Sequence, residues 1–327
     1  MTKEALLQID HLSVAFPSRG RNYRAVDDVS LEIHQGEIFA LVGESGCGKS
    51  TVASALVNLV PAPGFVEKGA IWLKGRDLLR LPRSEYQKLR GGTVSTILQG
   101  AMNSFNPVSR IGRQFEDLME AHPGRLPART AAWAHFRDLL ERVHLDPETV
   151  PRAYPHELSG GMKQRLAIAM GLVLNPSLLI LDEPTTALDV VNQRTILDIV
   201  RGIHDETGIT VLFITHDLGI VAALAHRVGV MYAGQLVDHG TVEQVFYDNY
   251  RHPYVSALLR AVPSILLKRE HARPIPGSVP DIGDLPTGCR FSNRCQLTES
   301  GCREGIPPLI PNSDGHAVRC LVIQRAK

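Results

Sequence analysis

The sequence predicts an α/β chain with a core built on a mostly parallel sheet, an antiparallel β subdomain, an inserted helical subdomain and a small loop-rich C-terminal extension. Three observations carry this. Helical and strand patterns alternate through residues 164–174, 178–181, 191–206, 210–214 and 218–225. The apolar run 39–42 leads into a glycine-rich turn and then a helical stretch. After about Phe246 the composition shifts: Pro274, Pro276, Pro280 and Pro286 break the chain, and four of the five cysteines follow within residues 289–320.

The elements follow in order. Residues 6–16, 29–33 and 37–42 read as strands, the last apolar enough to lie inside a sheet. Pro17 ends the first, and the polar, basic stretch 18–24 is expected to be a loop. Residues 51–60 read as a helix stopped by Pro61 and Pro63. Residues 69–73 and 94–98 are further strands. Residues 111–121 and 131–143 carry helical spacing, with a break at Pro123, Gly124 and Pro127. The expected organisation is a domain over 1–245, holding a helical insertion at about 100–162, and an extension over 246–327.

The chain has 327 residues, 44% hydrophobic and 21% charged, enough to bury a core in about two domains. A net charge of +1 weighs against a general nucleic-acid coat, which needs a strongly basic face. No run of about 18 apolar residues is present to span a bilayer. The first ten residues lack the basic start and apolar segment of an export signal. A reducing cytosolic setting is therefore expected, in which cysteines are ligands or fillers before they are disulfides.

Gly43-Glu44-Ser45-Gly46-Cys47-Gly48-Lys49-Ser50 fits G-x-x-x-x-G-K-[ST], between an apolar strand and a helix beginning at Thr51. The glycines let backbone N–H groups turn inward around an anion at a helix N-terminus. Lys49 is placed to neutralise the β/γ-phosphates and Ser50 to ligate Mg²⁺. The strand 178–181 ends in Asp182 and Glu183, at the strand end where open α/β sheets place their ligands. Asp182 suits Mg²⁺, through water, and Glu183 suits the attacking water as proton acceptor or orienting group.

Leu158-Ser159-Gly160-Gly161-Met162, followed by Gln164-Arg165, resembles the signature motif of ATP-binding-cassette ATPases of the P-loop NTPase class. The resemblance spans about residues 6–245. It implies that Gln99 joins the Mg²⁺ site to the helical subdomain and belongs with Lys49, Glu183 and His216 in the catalytic set. Ala187-Leu188-Asp189 resembles the loop after the catalytic carboxylate, and His216 the switch histidine. Phe16 resembles the aromatic that stacks on adenine, though it is equally a strand-end core residue; Tyr23 is a second candidate. In the family two subunits pair head to tail, so Ser159, Gly160 and Gly161 would serve the ATP held by a partner's phosphate loop.

His252-Pro253-Tyr254, Ala257-Leu258-Leu259 and Ala261-Val262-Pro263 resemble the tail of ATPases from oligopeptide/dipeptide importers. Those tails carry a cysteine cluster, matched here by Cys289, Cys295, Cys302 and Cys320, with five, six and seventeen residues between neighbours. The resemblance implies a 4Fe–4S centre; zinc, or four unligated thiols, are the alternatives. Cys47 reads as a small filler. Gly100-Ala101 departs from the acidic residue and proline that many relatives carry, although residues 102–107 still resemble the importer group.

The implied function is the ATP-hydrolysing subunit of a binding-protein-dependent importer at the cytoplasmic face of the membrane. The implied cargo is di- or oligopeptide, with nickel chelates or oligosaccharides as alternatives. The implied partners are a second, related ATPase subunit, two transmembrane permeases and an extracytoplasmic binding protein, and no nucleic acid. A soluble cassette ATPase acting on ribosomes or DNA is a rival, opposed by the single phosphate motif and the lack of a heptad run. A non-catalytic regulatory subunit is another, opposed by the presence of Glu183 and His216.

Overall fold

The computed structural model describes residues 4–126, 128–186, 188–261 and 274–325. Pro127 of the expected helix break, Ala187 of the loop after Glu183 and Val262-Pro263 of the tail pattern lie outside them. The chain divides into two compact units, residues 1–79 with 213–327, and residues 80–212.

The first unit opens on the antiparallel hairpin β1 (Ala5–Ser18) and β2 (Arg21–His34), with Phe16 opposite Tyr23. Most of the stretch expected to be a loop, 18–24, is therefore strand. Arg19 and Gly20 form a two-residue turn at positive φ (48° and 76°), and the polar residues beyond it lie on a solvated sheet rim. Next comes β3 (Ile38–Val42), buried throughout, and then α1 (Lys49–Leu56). This helix stops short of the expected end at 60. Asn58 takes a left-handed φ of 47°, and the Leu59 N–H donates back to the Ser54 carbonyl, which closes the last turn before the prolines are reached. With β4 (Phe65–Leu73) and β5 (Arg76–Asp77), the hairpin completes an antiparallel sheet ordered β2-β1-β4-β5.

The second unit contains α2 (Arg83–Leu89), β6 (Val94–Ile97), α3 (Ile111–Ala121), α4 (Arg129–Arg142), α5 (Gly160–Leu172), β7 (Leu178–Asp182) and α6 (Val190–Thr207). Strands β6 and β7 pair in parallel, Val94 opposite Leu178 and Ile97 opposite Leu181. Helices α3 and α4 meet through stacked Phe115 and Phe136, centroids 4.3 Å apart, with Trp133 edge-on to Phe115 at 4.9 Å. Strand β8 (Thr210–Thr215) starts in this unit and carries the chain back into the first.

There the chain forms α7 (Leu218–Leu224), β9 (Arg227–Tyr232), β10 (Gln235–Thr241), α8 (Val242–Tyr247), α9 (Pro253–Ala261), β11 (Ile310–Pro311), β12 (Ala317–Val318) and α10 (Leu321–Arg325). Strands β3 and β9 are parallel, while β9–β10, β10–β12 and β12–β11 are antiparallel, so this sheet is mixed. The tail enters the core: Tyr254 and Phe291 are buried against Tyr232, Val242 and Phe246. Among the described residues no helix is long and apolar enough to cross a membrane.

Candidate functional site

In the first unit the phosphate motif turns between β3 and α1. Lys49 is 4% exposed, and its ammonium donates to the Gly43 and Glu44 carbonyls at 2.8 and 3.0 Å. The cation is thus held over the loop by the loop's own oxygens. Gly48 caps α1 at φ 104°, which aims the first helical N–H groups into the turn. Cys47 is fully buried against Gly43, and burial pushes its thiol up, as expected of a filler. Ser45, Gly46 and Ser50 are exposed at the mouth and Thr51 is half-buried. The buried lysine, the helix start and the exposed Ser50 are the parts a nucleoside triphosphate with Mg²⁺ requires, so these residues fit that ligand.

Phe16 is half-buried near the end of β1, its ring over the Gly64 backbone. Tyr23, across the hairpin, lies against Gly283 of the tail. His216 is exposed directly after β8, just before Asp217, which caps α7 by accepting from the Gly219 and Ile220 N–H groups.

In the second unit a strand register builds the carboxylate pair. Ile97 and Leu181 are opposed in parallel, so Gln99 and Glu183, each two residues further on, arrive side by side. The Gln99 amide donates to the Glu183 carboxylate at 3.2 Å, and the Thr186 hydroxyl donates to the same oxygen at 2.9 Å. Glu183 has a left-handed φ of 49°, uncommon for a residue with a side chain and frequent at functional turns. Asp182, the last residue of β7, is buried.

The same unit presents the Ser-Gly-Gly turn as a helix start. Ser159 caps α5, its hydroxyl accepting the Met162 N–H at 3.3 Å, and Ser159 and Gly160 are exposed. Gly161 lies against Asn192, whose Oδ1 would stand 2.5 Å from any added Cβ. Asn192 is fixed by Asp189, which accepts its backbone N–H at 2.9 Å and its amide at 2.7 Å; those bonds hold the Asp189 carboxyl below the usual range. Thr186 and Asn192 were missed from the sequence. The spacing Asp189-x-x-Asn192, a helix-cap pattern, was the available signal for the second.

The four tail cysteines do converge. Cys289, Cys295, Cys302 and Cys320 line one cavity, along with His252 and Ser292. All five cysteines of the chain are free thiols. Burial pushes the Cys289 thiol up to about 11 and those of Cys295 and Cys320 in the same direction. The space enclosed is about 10 Å³, room for roughly one water. Among the described residues no group of three or more His, Cys, Asp or Glu is placed to hold a metal ion. The 4Fe–4S or zinc centre implied by the resemblance is not supported by this arrangement: among the described residues the four thiols share a cavity but, as placed, form no metal-ligand set.

A family model described as ABC transporter matches residues 26–186, and one described as the C-terminal region of oligopeptide/dipeptide transporters matches residues 237–302. A putative peptide import ATP-binding protein of Brucella ovis is 42% identical, covering 98% of each chain. The oligopeptide transport ATP-binding protein OppD of Bacillus subtilis is 41% identical over 97% of this chain and 89% of its own. The dipeptide transport ATP-binding protein DppD of Escherichia coli is 40% identical over 97% and 96%. Among solved structures, a dimeric bacterial ABC transporter cassette superposes with a TM-score of 0.64 at 24% identity, covering 72% of this chain and 98% of that one. The cbiO1 protein of Clostridium perfringens, part of an ABC transporter complex, gives 0.64 at 26% identity over 75% and 92%.

Proposed function

The chain belongs to the ABC transporter family, and from that premise we propose that it is the ATP-hydrolysing subunit of an importer of di- and oligopeptides. The near full-length likeness to peptide-import ATPases and the matched C-terminal region support the cargo class. The partners in this reading are a second related ATPase subunit, two membrane-spanning permeases and an extracytoplasmic binding protein. The chain works at the cytoplasmic face of the membrane.

The observation that carries the catalytic reading is Glu183, set at a strand end on a left-handed turn and bonded by Gln99 and Thr186. The phosphate loop receives the β- and γ-phosphates on its N–H groups, and Lys49 exchanges carbonyl partners for phosphate oxygens. Ser50, Asp182 and Gln99 would hold Mg²⁺, which when bound neutralises phosphate charge. Glu183 takes the proton of, or orients, the water that attacks the γ-phosphorus; the bond to the β–γ bridging oxygen breaks, leaving ADP and phosphate. His216 stabilises the γ-phosphate, Phe16 stacks on the base, and Ser159, Gly160 and Gly161 of a sister subunit close the far side of the nucleotide.

The test is peptide-dependent ATP turnover by the complete transporter in proteoliposomes. Glu183→Gln is expected to abolish turnover while the chain still binds ATP. Unchanged turnover in that variant would overturn the assignment.

A further inference from the structure

The C-terminal extension reaches the phosphate loop at both of its ends. At the first, the Arg294 guanidinium grips the Glu44 carboxylate with both terminal nitrogens, at 2.7 and 3.1 Å, while donating to the Tyr232 hydroxyl at 3.3 Å. The Arg294 side chain is 6% exposed and lies over the Tyr232 ring. The Glu44 backbone N–H donates to the hydroxyl of Tyr254 at 3.0 Å, so that N–H faces the tail rather than the anion cradle. Tyr254 is itself fully buried beside Tyr232 and Phe291.

At the second end, Arg290 bonds the Ala233 carbonyl and the Asp27 carboxylate. The next residue, Gly234, donates its N–H to the Cys47 carbonyl at 3.0 Å and accepts from the Asp27 N–H at 2.8 Å. Two tail arginines four positions apart thus bracket the loop, one directly at Glu44 and one through the 233–234 turn at Cys47. A carboxylate at position 44 repels a triphosphate on the same loop unless a cation neutralises it. Arg294 supplies that cation.

We infer that Arg294 and Tyr254 are positioning residues of the phosphate loop: by neutralising and anchoring Glu44, the tail holds the cradle in its ATP-receiving shape and sets nucleotide affinity. This rests on the ATPase reading above. The role belongs to binding rather than to the chemical step, since both residues act on the backbone and side chain of Glu44 in the phosphate loop. Breaking one side of a half-buried, doubly hydrogen-bonded ion pair weakens what it supports more than the loss of a fully exposed one does.

The experiment measures the ATP KM and kcat of the assembled transporter, with equilibrium binding of a fluorescent ATP analogue to the full chain. Arg294→Met is expected to raise KM about tenfold, with kcat at saturating ATP kept within twofold. Arg294→Lys recovers part of the loss, since it restores the charge without the two-pronged grip. In a double-mutant cycle, Arg294→Met adds little once Glu44→Gln is present. Should Arg294→Met fail to fold, Tyr254→Phe, which removes a single oxygen, is expected to raise KM about threefold. A folded Arg294→Met, or a Tyr254→Phe, with unchanged KM overturns the inference. So does additivity of the Arg294 and Glu44 substitutions. Failure of the unaltered chain to bind ATP fells the ATPase reading instead.

Discussion

Replacing Gly48 by alanine probes the shape of the cradle, and Gly46 supplies the comparison. Gly46 has φ 78° with nothing within 4 Å of an added Cβ, so alanine there meets only left-handed backbone strain, about 1–2 kcal/mol. If all of it falls on the ATP-competent loop, affinity drops roughly five- to thirtyfold, each 1.4 kcal/mol being a factor of ten. Gly48 is different. Its φ of 104° lies outside the left-handed well, and an added Cβ would stand 2.4 Å from the Ala25 carbonyl oxygen and 3.2 Å from the Met231 methyl carbon. The strain is about 1–3 kcal/mol. Relief of the overlap needs a shift of roughly 0.8 Å, which displaces loop N–H groups that a phosphate needs, and strain at the upper end of that range is about a hundredfold in affinity. Gly48→Ala is therefore expected to bind ATP about a hundredfold more weakly than the unaltered chain and clearly more weakly than Gly46→Ala. Titration with a fluorescent ATP analogue and Mg²⁺, beside a thermal melt showing that both variants fold, reads the difference. Equal affinities within twofold would refute the argument from close approach.

Three further outcomes are expected. Glu183→Gln should lower the single-turnover hydrolysis rate at least about a hundredfold with ATP affinity kept, measured by rapid quench. Ser159→Ala removes the cap of α5 and should lower stability by about 0.5–2 kcal/mol in urea titration; ATP turnover should fall further than that loss explains if the hydroxyl also serves a sister subunit's nucleotide. His252 is buried with its Nδ1 accepting the Tyr254 N–H, and burial lowers its pKa from 6.5 to about 3. The folded chain resists a proton that the unfolded chain takes up. Stability is therefore full above pH 6.5 and lost below it, by about 2 kcal/mol at pH 5. Urea unfolding at pH 7.5 and 5.0 should show this fall, and His252→Gln should reduce it.

The motifs were legible because each states a backbone requirement locally. Gly46 and Gly48 mark positive φ, Ser159 marks a helix start, and Asp182-Glu183 closes an apolar strand. Their neighbours were less so. Gln99 and Glu183 are 84 residues apart, and only the β6–β7 register, which no local pattern announces, brings them into contact. Arg294 and Glu44 are 250 positions apart, and in a proline-rich tail an arginine reads as solvated surface. The 18–24 hairpin was hidden for a related reason: a strand with a solvated face carries the same polar residues as a loop, and only the two-residue turn distinguishes them. The cysteine spacing showed a common destination, one cavity, but not how little space lies within it.

The aromatic stack of Phe115, Phe136 and Trp133 has a mechanical consequence. Flat rings in face and edge contact leave little space for the two helices to slide past one another. Helices joined in this way are expected to move together as one piece rather than to bend independently.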